Sequence, residues 1–521
     1  MIRTALGFIL GIGLPLTAFA QDGDRQATPV IDTVIVTTQD VYGTGESTNF
    51  LFRVANAVHV QTRSSVIRRE LLFAAGDLLD SARVAETARN LRALGLFRDV
   101  EIDTVRVDGR LAVLVATADG WTTQIQLNLR FTAGTFTWGV GLIERNFLGT
   151  ATVAGITYRK EPDRTAFTLR GSSERALGSR VAVRGWFDNL SDGSRGAWGV
   201  GVPYRAFVDR RSFLYDGYAG DERVLQYRDG VAGDTLQRRS FIQLGQISTA
   251  LVAETSHFFR LGLAGQVKKE EYIAGRDTAD LVPDTLTAAV GAFAEWARAN
   301  YRVVTYYNGF AREFDLDLSS RVFLSTWVAP SAFGYEQTGF GAALDLQTGI
   351  SLGPNFALLE GRANGLFTSA GLDSGRVWVG LTLAARPFPK NATVFHFEAG
   401  AQENTPPGTE FDLGHGAGPR LFGAHAFTGT RSIWGALEHR AFLIDEILGL
   451  LGIGVAAFVD YGGAWYTDQS ARLGGNVGVG LRIGATRATG PNVGRIDFGY
   501  RFGDGTEGKR WALSFGQGFA F

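Results

Sequence analysis

A serine flanked by two glycines is the first candidate catalytic residue in the sequence. Residues Gly349 to Gly353 read Gly-Ile-Ser-Leu-Gly, which is the spacing around the nucleophile of many hydrolases. That nucleophile needs a sharp turn from a strand into a helix, and no helical pattern follows Ser351. We therefore predict that the chain is not an enzyme.

A pair of histidines is the second candidate site. His415 and His425 flank Arg420, and imidazole is a common metal ligand. A catalytic zinc site takes three protein ligands, however, and no third ligand is evident beside these two histidines. Solvated loop histidines are the alternative, and we predict neither a metal site nor another cofactor.

The composition excludes several functional classes. The 521 residues include no cysteine, which rules out a disulfide framework and a thiolate metal site. The formal net charge is −1 and no long basic run occurs, so nucleic acid is not an expected partner. Glycine accounts for 68 residues and aromatic residues for 12% of the chain. Together with alternating runs of apolar and polar residues, this composition is typical of a transmembrane β-barrel.

The N-terminus has the features of a secretory signal peptide. Arg3 precedes an apolar stretch that ends in Ala18-Phe19-Ala20, a small-x-small cleavage pattern, and polar residues follow directly. We predict a signal peptide over residues 1–20 and a linker over residues 21–28.

Residues 29–119 predict a small domain in the order β-α-α-β-β. The alternating run VIDTVIVTT predicts a strand, and SSVIRRELLFAAG and DSARVAETARNLRALG predict two helices that each stop at a glycine. A hairpin follows, with Asp108-Gly109 at its turn, and this pair is favoured in two-residue hairpins.

Residues 120–521 alternate apolar and polar side chains in run after run. In the first run, TTQIQLNLRF, Leu127 and its alternate neighbours suit lipid, whereas Asn128 and its alternate neighbours suit a watery lumen. Roughly 10 residues per strand, plus connections, predict a transmembrane antiparallel β-barrel of about 16 strands. The last run, RWALSFGQGFAF, predicts a final strand that pairs with the first and closes the ring.

Short motifs in both parts of the chain have the spacing of a known family. GLFRDVEI, from Gly95 to Ile102, fits the Gly-x-Phe-x-x-Val pattern of POTRA domains, and AFVDYGGAW fits a Phe-x-Asp-x-Gly strand through Phe458, Asp460 and Gly462. The chain thereby resembles the BamA/TamA-type outer-membrane assembly superfamily, which also contains the two-partner-secretion transporters. This resemblance implies one periplasmic POTRA domain at residues 29–119 and a surface-antigen-type β-barrel at residues 120–521.

The resemblance also implies a site inside the barrel. In the family, a loop with the motif Val-Arg-Gly-Phe/Tyr folds back into the lumen, and its arginine pairs with the aspartate of the Phe-x-Asp-x-Gly strand. Pro419-Arg420-Leu421-Phe422 has the matching position here, so Arg420 is expected to pair with Asp460, with Phe422 beside it. Proline and leucine replace the family's valine and glycine, and we therefore expect a differently bent loop tip.

The C-terminus fits the family's outer-membrane targeting pattern, which is polar-x-Gly-x-x-aromatic-x-aromatic. Ser514, Gly516, Phe519 and Phe521 fall on its four positions. The resemblance implies that barrel-assembly machinery recognises this strand.

By this resemblance the chain is a bacterial outer-membrane machine that inserts or secretes other proteins. Its expected partners are outer-membrane lipid, extended or unfolded client proteins and other components of the assembly machinery, with the POTRA domain capturing clients in the periplasm. Barrel insertion and dedicated secretion remain two open alternatives at this point. A passive diffusion channel is an alternative from another class, and an outer-membrane lipid hydrolase is a further one that lacks a Ser-His constellation.

Overall fold

The computed structural model describes residues 29–41, 50, 59–228, 230–274, 284–311, 313–447, 450–485 and 493–518. Within these ranges, no helix is both long and apolar enough to cross a membrane. The predicted signal peptide and linker, residues 1–28, lie outside the described residues, as do Phe519 and Phe521 of the predicted targeting strand.

A small three-stranded sheet with two helices comes first. Its elements are β1 (Thr33–Gln39), α1 (Ser64–Glu70), α2 (Ser81–Ala93), β2 (Phe97–Val107) and β3 (Arg110–Asp119). β3 lies at the centre of the sheet, parallel to β1 and antiparallel to β2. We call this part of the chain, residues 29–119, the N-terminal unit.

Local sequence signals place the elements of the N-terminal unit. Asp80 caps α2, because its carboxylate accepts hydrogen bonds from the backbone N–H groups of Ala82 at 2.8 Å and Arg83 at 3.4 Å. α1 ends at Glu70, earlier than predicted, because the next residue takes extended backbone angles. The apolar faces of the helices and strands share one core of Ile31, Ile67, Phe73, Leu91, Leu96, Phe97, Val100, Val113 and Val115.

The rest of the described chain is almost entirely strand. It contains β4 (Thr123–Thr132), β5 (Thr135–Glu144), β6 (Thr152–Lys160), β7 (Thr165–Ser173), β8 (Ala182–Leu190), β9 (Gly193–Val202), β10 (Arg211–Arg228), β11 (Val231–Ala253), β12 (His257–Ala274), β13 (Thr285–Arg298), β14 (Tyr301–Val304) and β15 (Phe314–Asp317). It continues with β16 (Ser320–Ala329), β17 (Gly339–Leu352), β18 (Asn355–Thr368), β19 (Gly371–Ala385), β20 (Asn391–Glu403), β21 (Phe411–Leu413), β22 (Phe427–Gly429), β23 (Arg431–Ile447), β24 (Leu451–Trp465), β25 (Gly474–Ala485), β26 (Val493–Gly503) and β27 (Trp511–Gln517). Single 3-10 turns lie at Phe147–Gly149, Ala176–Gly178 and Ser331–Phe333.

Twenty of these strands, counted over the described residues, form a closed antiparallel barrel. The short pairs β14–β15 and β21–β22 lie outside the barrel wall. The first pair belongs to the connection between β13 and β16, and the second to the connection between β20 and β23. These two connections approach the lumen from opposite ends, since they join the strands at opposite ends of the barrel.

The predicted fold is wrong in two respects. The barrel has 20 strands rather than about 16, because many connections are short: β4 ends at Thr132 and β5 begins at Thr135, and β18 ends at Thr368 and β19 begins at Gly371. A POTRA domain is not evident either, because the described part of residues 29–119 forms a small three-stranded sheet with two helices. The predicted element order is present, but element order alone does not distinguish one small α+β unit from another.

The barrel wall presents an apolar surface to its surroundings. On β4, Ile125, Leu127 and Leu129 have exposed fractions of 81%, 57% and 39%. Exposed apolar side chains at alternate positions continue around the ring, among them Val140, Leu142, Ile156, Phe187, Ile247, Leu263, Leu324, Val477, Val479 and Phe498. An apolar belt of this size on a closed barrel fits a lipid environment.

The first and last strands close the ring, as the alternation of the final run predicts. Counted over the described residues, β27 pairs with β4 at two register positions, Ser514 with Thr132 and Phe515 with Phe131, whereas β26 and β27 pair at seven. Ser514 and Thr132 share a hydrogen bond between their hydroxyl groups at 3.0 Å. We call this junction of β4 and β27 the seam.

Candidate functional site

The connection between β20 and β23, residues 404–430, folds into the barrel. We call it the lumen loop. Its residue Arg420 is 1% exposed and contacts Asp460 of β24, which is also 1% exposed. Asp460 faces the interior of the barrel, because its neighbours Val459 and Tyr461 are exposed on the outer face.

Arg420 and Asp460 form a bidentate ion pair. The Nε and Nη2 atoms of Arg420 each donate to one carboxylate oxygen of Asp460 at 2.8 Å, and the backbone N–H of Arg420 donates to the same carboxylate at 3.1 Å. Asn476 of β25 holds the carboxylate from another side, through Nδ2 at 2.8 Å. A planar guanidinium matches a carboxylate in this geometry, so the pair fixes orientation as well as charge.

A second carboxylate, Glu438 of β23, completes the site. It is fully buried and accepts a hydrogen bond from the Nη1 atom of Arg420. Arg440 donates to it at 2.7 Å and Arg482 at 3.2 Å. Arg482 also donates to Asp497 of β26 at 2.6 Å. Four strands of the wall, β23 to β26, therefore meet the lumen loop in one buried charged cluster.

Two further predicted site residues, Phe458 and Gly462, lie on β24 with Asp460. The ring of Phe458 lies under the guanidinium of Arg420, 3.9 Å from ring centroid to Cζ. At Gly462, an added Cβ would lie 2.3 Å from the carbonyl oxygen of Ile433 and 2.4 Å from Cα of Trp434. Glycine is thus required at this position because β23 and β24 approach each other closely there.

The tip of the lumen loop contains a buried leucine. Leu421, which replaces the family's glycine, does not take a positive φ angle. It is fully buried between Phe458 and Ala512, in space that Gly499 leaves open. The sharp bends lie elsewhere in the loop, at Gly414, His415, Gly416, Gly418 and His425, which all have positive φ.

Phe422 anchors the loop through apolar contacts. It is fully buried, and its ring centroid lies 5.0 Å from that of Phe427. These rings belong to a core shared with Phe411, Leu413 and Trp434. The loop is therefore held in place by a buried apolar cluster beside the charged one.

The two histidines of the loop are bonded to the protein rather than solvated. His425 contacts the carboxylates of Asp412 at 2.6 Å and Asp163 at 3.0 Å and stacks on Tyr227 with 3.6 Å between centroids. Burial alone would lower the pKa of His425, but the hydrogen bonds to the two carboxylates outweigh burial and raise it to about 9. Burial, with a smaller effect of the nearby Arg130 guanidinium, lowers the pKa of His415 to about 4. Across the described residues, no group of three or more His, Cys, Asp or Glu side chains could hold a metal ion.

The end of the lumen beside the N-terminal unit is also occupied. The connection between β13 and β16 places the carbonyl oxygen of Tyr307 2.9 Å from Nη1 of Arg440. Farther along, Asp315 of β15 accepts two hydrogen bonds from Arg92 of α2, at 2.5 and 2.8 Å. The charged cluster, this connection and the N-terminal unit therefore form a continuous chain of contacts.

The other predicted residues belong neither to the lumen loop nor to strands β23 to β26. Ser514 and Gly516 are on β27, at the seam, while Phe519 and Phe521 lie outside the described residues. Ser351 sits near the end of β17, and β18 rather than a helix follows it, so it has no nucleophile elbow.

The sequence predicted one ion pair where the structure has a larger cluster. Glu438, Arg440, Asn476, Arg482 and Asp497 were not identified as site residues. Each is a polar residue on the inward face of an alternating strand, and that pattern describes a watery lumen equally well. Only the approach of Arg420 from the loop distinguishes them from ordinary lumen-lining residues.

The chain is similar to solved outer-membrane barrels at low identity. No family model and no curated protein matches it. CdiB from Escherichia coli matches with 12% identity and a TM-score of 0.47, covering 97% of this chain and 93% of that chain. BamA from Haemophilus ducreyi lacking POTRA domains 1–3 matches with 13% identity and a TM-score of 0.39, covering 94% and 84%.

The structure of an iron transporter matches this chain with a similarly low identity and a similar TM-score. The FrpB iron transporter from Neisseria meningitidis has 8% identity and a TM-score of 0.42, covering 94% of this chain and 92% of that chain. These TM-scores do not separate one class of barrel from another.

Proposed function

We propose that this chain is a bacterial outer-membrane protein that inserts or translocates other polypeptides. The observation that carries the proposal is the lumen loop, which is fixed inside a closed barrel by the buried contacts of Arg420 with Asp460 and Glu438. A passive diffusion channel needs a continuous aqueous path. The lumen loop and the β13–β16 connection both reduce such a path, and this favours a gated machine over a channel.

The seam is the proposed site of opening. Within the described residues, β4 and β27 pair at two register positions, supported by a hydrogen bond from Gln517 Nε2 to the carbonyl oxygen of Leu127 at 2.9 Å. Separating these strands breaks far fewer backbone hydrogen bonds than separating β26 from β27. A polypeptide inserted into lipid would leave through this seam, whereas a secreted one would pass along the lumen.

The N-terminal unit is the proposed site of client capture, on the periplasmic side. β2 pairs only with β3 among the described strands, so from Asp99 to Val107 its other edge has no strand partner within the described part of the chain. Strand addition at such an edge binds extended chains through backbone hydrogen bonds with little sequence preference. Extended clients, outer-membrane lipid and other components of an assembly machinery are the proposed partners.

A disulfide across the seam tests this function. The chain has no native cysteine, so Thr132→Cys combined with Ser514→Cys places a single disulfide where two hydroxyl groups now lie 3.0 Å apart. The matched control is Ser320→Cys combined with Thr348→Cys, which replaces another hydroxyl pair, 2.8 Å apart, between β16 and β17.

The assay uses lipid vesicles that contain the full chain and a urea-unfolded, eight-stranded outer-membrane barrel as client. We expect the wild-type protein and the control to accelerate client folding, and the oxidised seam variant to lose this acceleration until a reductant is added. Equal activity of the oxidised seam variant and the control would exclude the seam as the route. If the wild-type protein neither accelerates folding nor moves an unfolded chain into the vesicles, the proposed function is wrong.

A further inference from the structure

The charged cluster contains more positive than negative groups. Among the described residues, the guanidinium groups are those of Arg420, Arg440, Arg482 and Arg495, and each of these side chains is 5% exposed or less. The carboxylates are those of Glu438, Asp460 and Asp497, which are equally buried. Within the described residues, four guanidinium groups thus share three carboxylates, which leaves one buried positive charge unmatched there.

Arg495 carries the unmatched charge. It stands directly opposite Arg482 in the register of β25 and β26, and like charges in this position repel each other. Arg482 takes the available carboxylates, Glu438 at 3.2 Å and Asp497 at 2.6 Å. The Nε atom of Arg495 is 3.8 Å from Asp497, and neither its Nε nor its Nη1 atom has a hydrogen-bond acceptor among the described residues.

A second arginine, Arg130 of β4, lies beside Gly516 on the other side of the seam from Arg495. Gly516 of β27 is the register partner of Arg495. An added Cβ on Gly516 would lie 3.6 Å from Nε of Arg495 and 3.7 Å from Nε of Arg130 on β4. The missing side chain of Gly516 therefore leaves a gap, with room for a carbon-sized atom, between two guanidinium groups on the lumen face of the seam.

Arg130 is itself held by the lumen loop. Its Nη1 atom donates to the carbonyl oxygen of His415 at 2.9 Å, and this leaves its Nε atom directed toward the gap. Among the described residues, Arg130 forms no ion pair with a carboxylate. The gap is thus bounded by one strand on each side of the seam, and through Arg130 it contacts the loop that occupies the lumen.

We infer that this gap is an oxyanion-binding site, formed by Arg130 and Arg495 over Gly516. An unpaired guanidinium that is buried costs free energy unless an anion or a hydrogen-bond acceptor compensates it. Carboxylates and phosphates are the groups whose oxygens match the N–H groups of arginine. The ligand is therefore a phosphate or a carboxylate group, and the site does not depend on the proposed transport function.

Equilibrium dialysis of the full chain in detergent tests the site with two probes. Isotope-labelled inorganic phosphate and labelled acetate are measured separately, at constant ionic strength set with sodium chloride. We expect saturable binding of one equivalent to the wild-type protein, and loss of that binding in Arg495→Gln and in Arg130→Gln. Arg184→Gln is the control, because Arg184 is 68% exposed and pairs with Asp216 at 2.6 Å, and it should bind as the wild type does.

The two probes distinguish the sources of the oxyanion. Binding of phosphate alone assigns the site to phosphate, and binding of acetate alone assigns it to carboxylates. Binding that chloride displaces at equal concentration, or that Arg495→Gln retains in full, would overturn the inference. No saturable binding of either probe would also overturn it, since water would then be sufficient to solvate Arg495.

Thermal unfolding gives an independent measurement of the same charge. In buffer free of phosphate and carboxylates, Arg495→Gln should unfold at the wild-type temperature or above, because it removes the repulsion from Arg482. Arg482→Gln should unfold at a lower temperature, because Glu438 and Asp497 lose a partner. Added phosphate or acetate should raise the unfolding temperature of the wild-type protein and leave that of Arg495→Gln unchanged. A lower unfolding temperature of Arg495→Gln without added oxyanion would contradict the charge count.

Discussion

The Arg420–Asp460 ion pair should couple the lumen loop to the barrel wall more strongly than an exposed ion pair could. The test is a double-mutant cycle of Arg420→Ala, Asp460→Ala and the double variant. Both side chains are 1% exposed and share two hydrogen bonds of 2.8 Å. Each single substitution therefore leaves a buried charge without its main partner.

The expected magnitudes follow from the partners that remain. Removing one member of a fully buried ion pair costs about 3–5 kcal/mol. After Arg420→Ala, Asp460 keeps Asn476 and Glu438 keeps Arg440 and Arg482 as partners, so we expect a cost near the lower end, about 3 kcal/mol.

Asp460→Ala should be the more harmful substitution. Among the described residues of the charged cluster, it leaves four buried guanidinium groups with two carboxylates, whereas Arg420→Ala leaves three of each. The double variant should be little worse than Asp460→Ala alone, because both changes remove the same interaction. The corresponding coupling energy is about 2–3 kcal/mol.

Urea unfolding in lipid vesicles measures these free energies. The chain has 10 tryptophans, so intrinsic fluorescence reports the transition, and a gel-mobility shift confirms it. The rate of client folding in the vesicle assay above, measured for the same four proteins, shows whether the loop contact also affects function.

A second cycle on an exposed pair is the control. Arg184 and Asp216 are 2.6 Å apart, but their side chains are 68% and 29% exposed. Exposed pairs contribute about 0.2–1 kcal/mol, so Arg184→Ala and Asp216→Ala should show weak coupling. If the Arg420–Asp460 cycle gives a coupling energy no larger than this control, the ion pair does not hold the loop in the lumen.

Three further predictions concern the barrel wall, the loop and the C-terminus. Leu127→Arg places a charge on the lipid face and should cost about 2–4 kcal/mol near the midplane, whereas Asn128→Arg should be mild; equal folding yields in lipid vesicles would refute the assignment of faces. Since the pKa of His425 is raised to about 9 from its ordinary 6.5, its bonds to Asp163 and Asp412 should stabilise the loop fully below pH 6.5 and weaken as pH rises through 9. Protease cleavage of the loop should therefore increase at high pH in the wild type but not in His425→Ala, and the same pH profile in both would argue against this role. Deleting Phe521 should slow assembly in cells more than it lowers stability in detergent, and wild-type assembly would mean that the tail is only a strand.

The strand nature of the chain and the faces of its strands could be predicted from the sequence. The apolar and polar residues alternate with period two, and successive side chains on a strand point to opposite faces. Leu127 is therefore assigned to the lipid face and Asn128 to the lumen face without any knowledge of neighbouring strands. The pairing of the last strand with the first is also predictable, because a barrel in lipid cannot leave an edge unpaired. The Asp108-Gly109 turn follows from local backbone preferences.

The number of strands depends on the lengths of the connections between them. The alternation of apolar and polar residues does not reveal these lengths. A run of alternating residues has the same pattern whether its turn takes two residues or ten, and several short turns here, such as that between Thr132 and Thr135, raise the count to 20. The N-terminal unit shows a related limit, because a correct order of elements did not establish a particular domain fold.

Most members of the charged cluster were decided by tertiary structure. Motif spacing predicted that Arg420 would meet Asp460, and the two do lie in contact. Glu438, Arg482 and Arg495 join them only because β23 to β26 are neighbours in the closed ring and the lumen loop descends between them. A charged residue on the inward face of a strand has the same local sequence whether water or a buried counter-charge surrounds it, and only the packed barrel determines which of the two it meets.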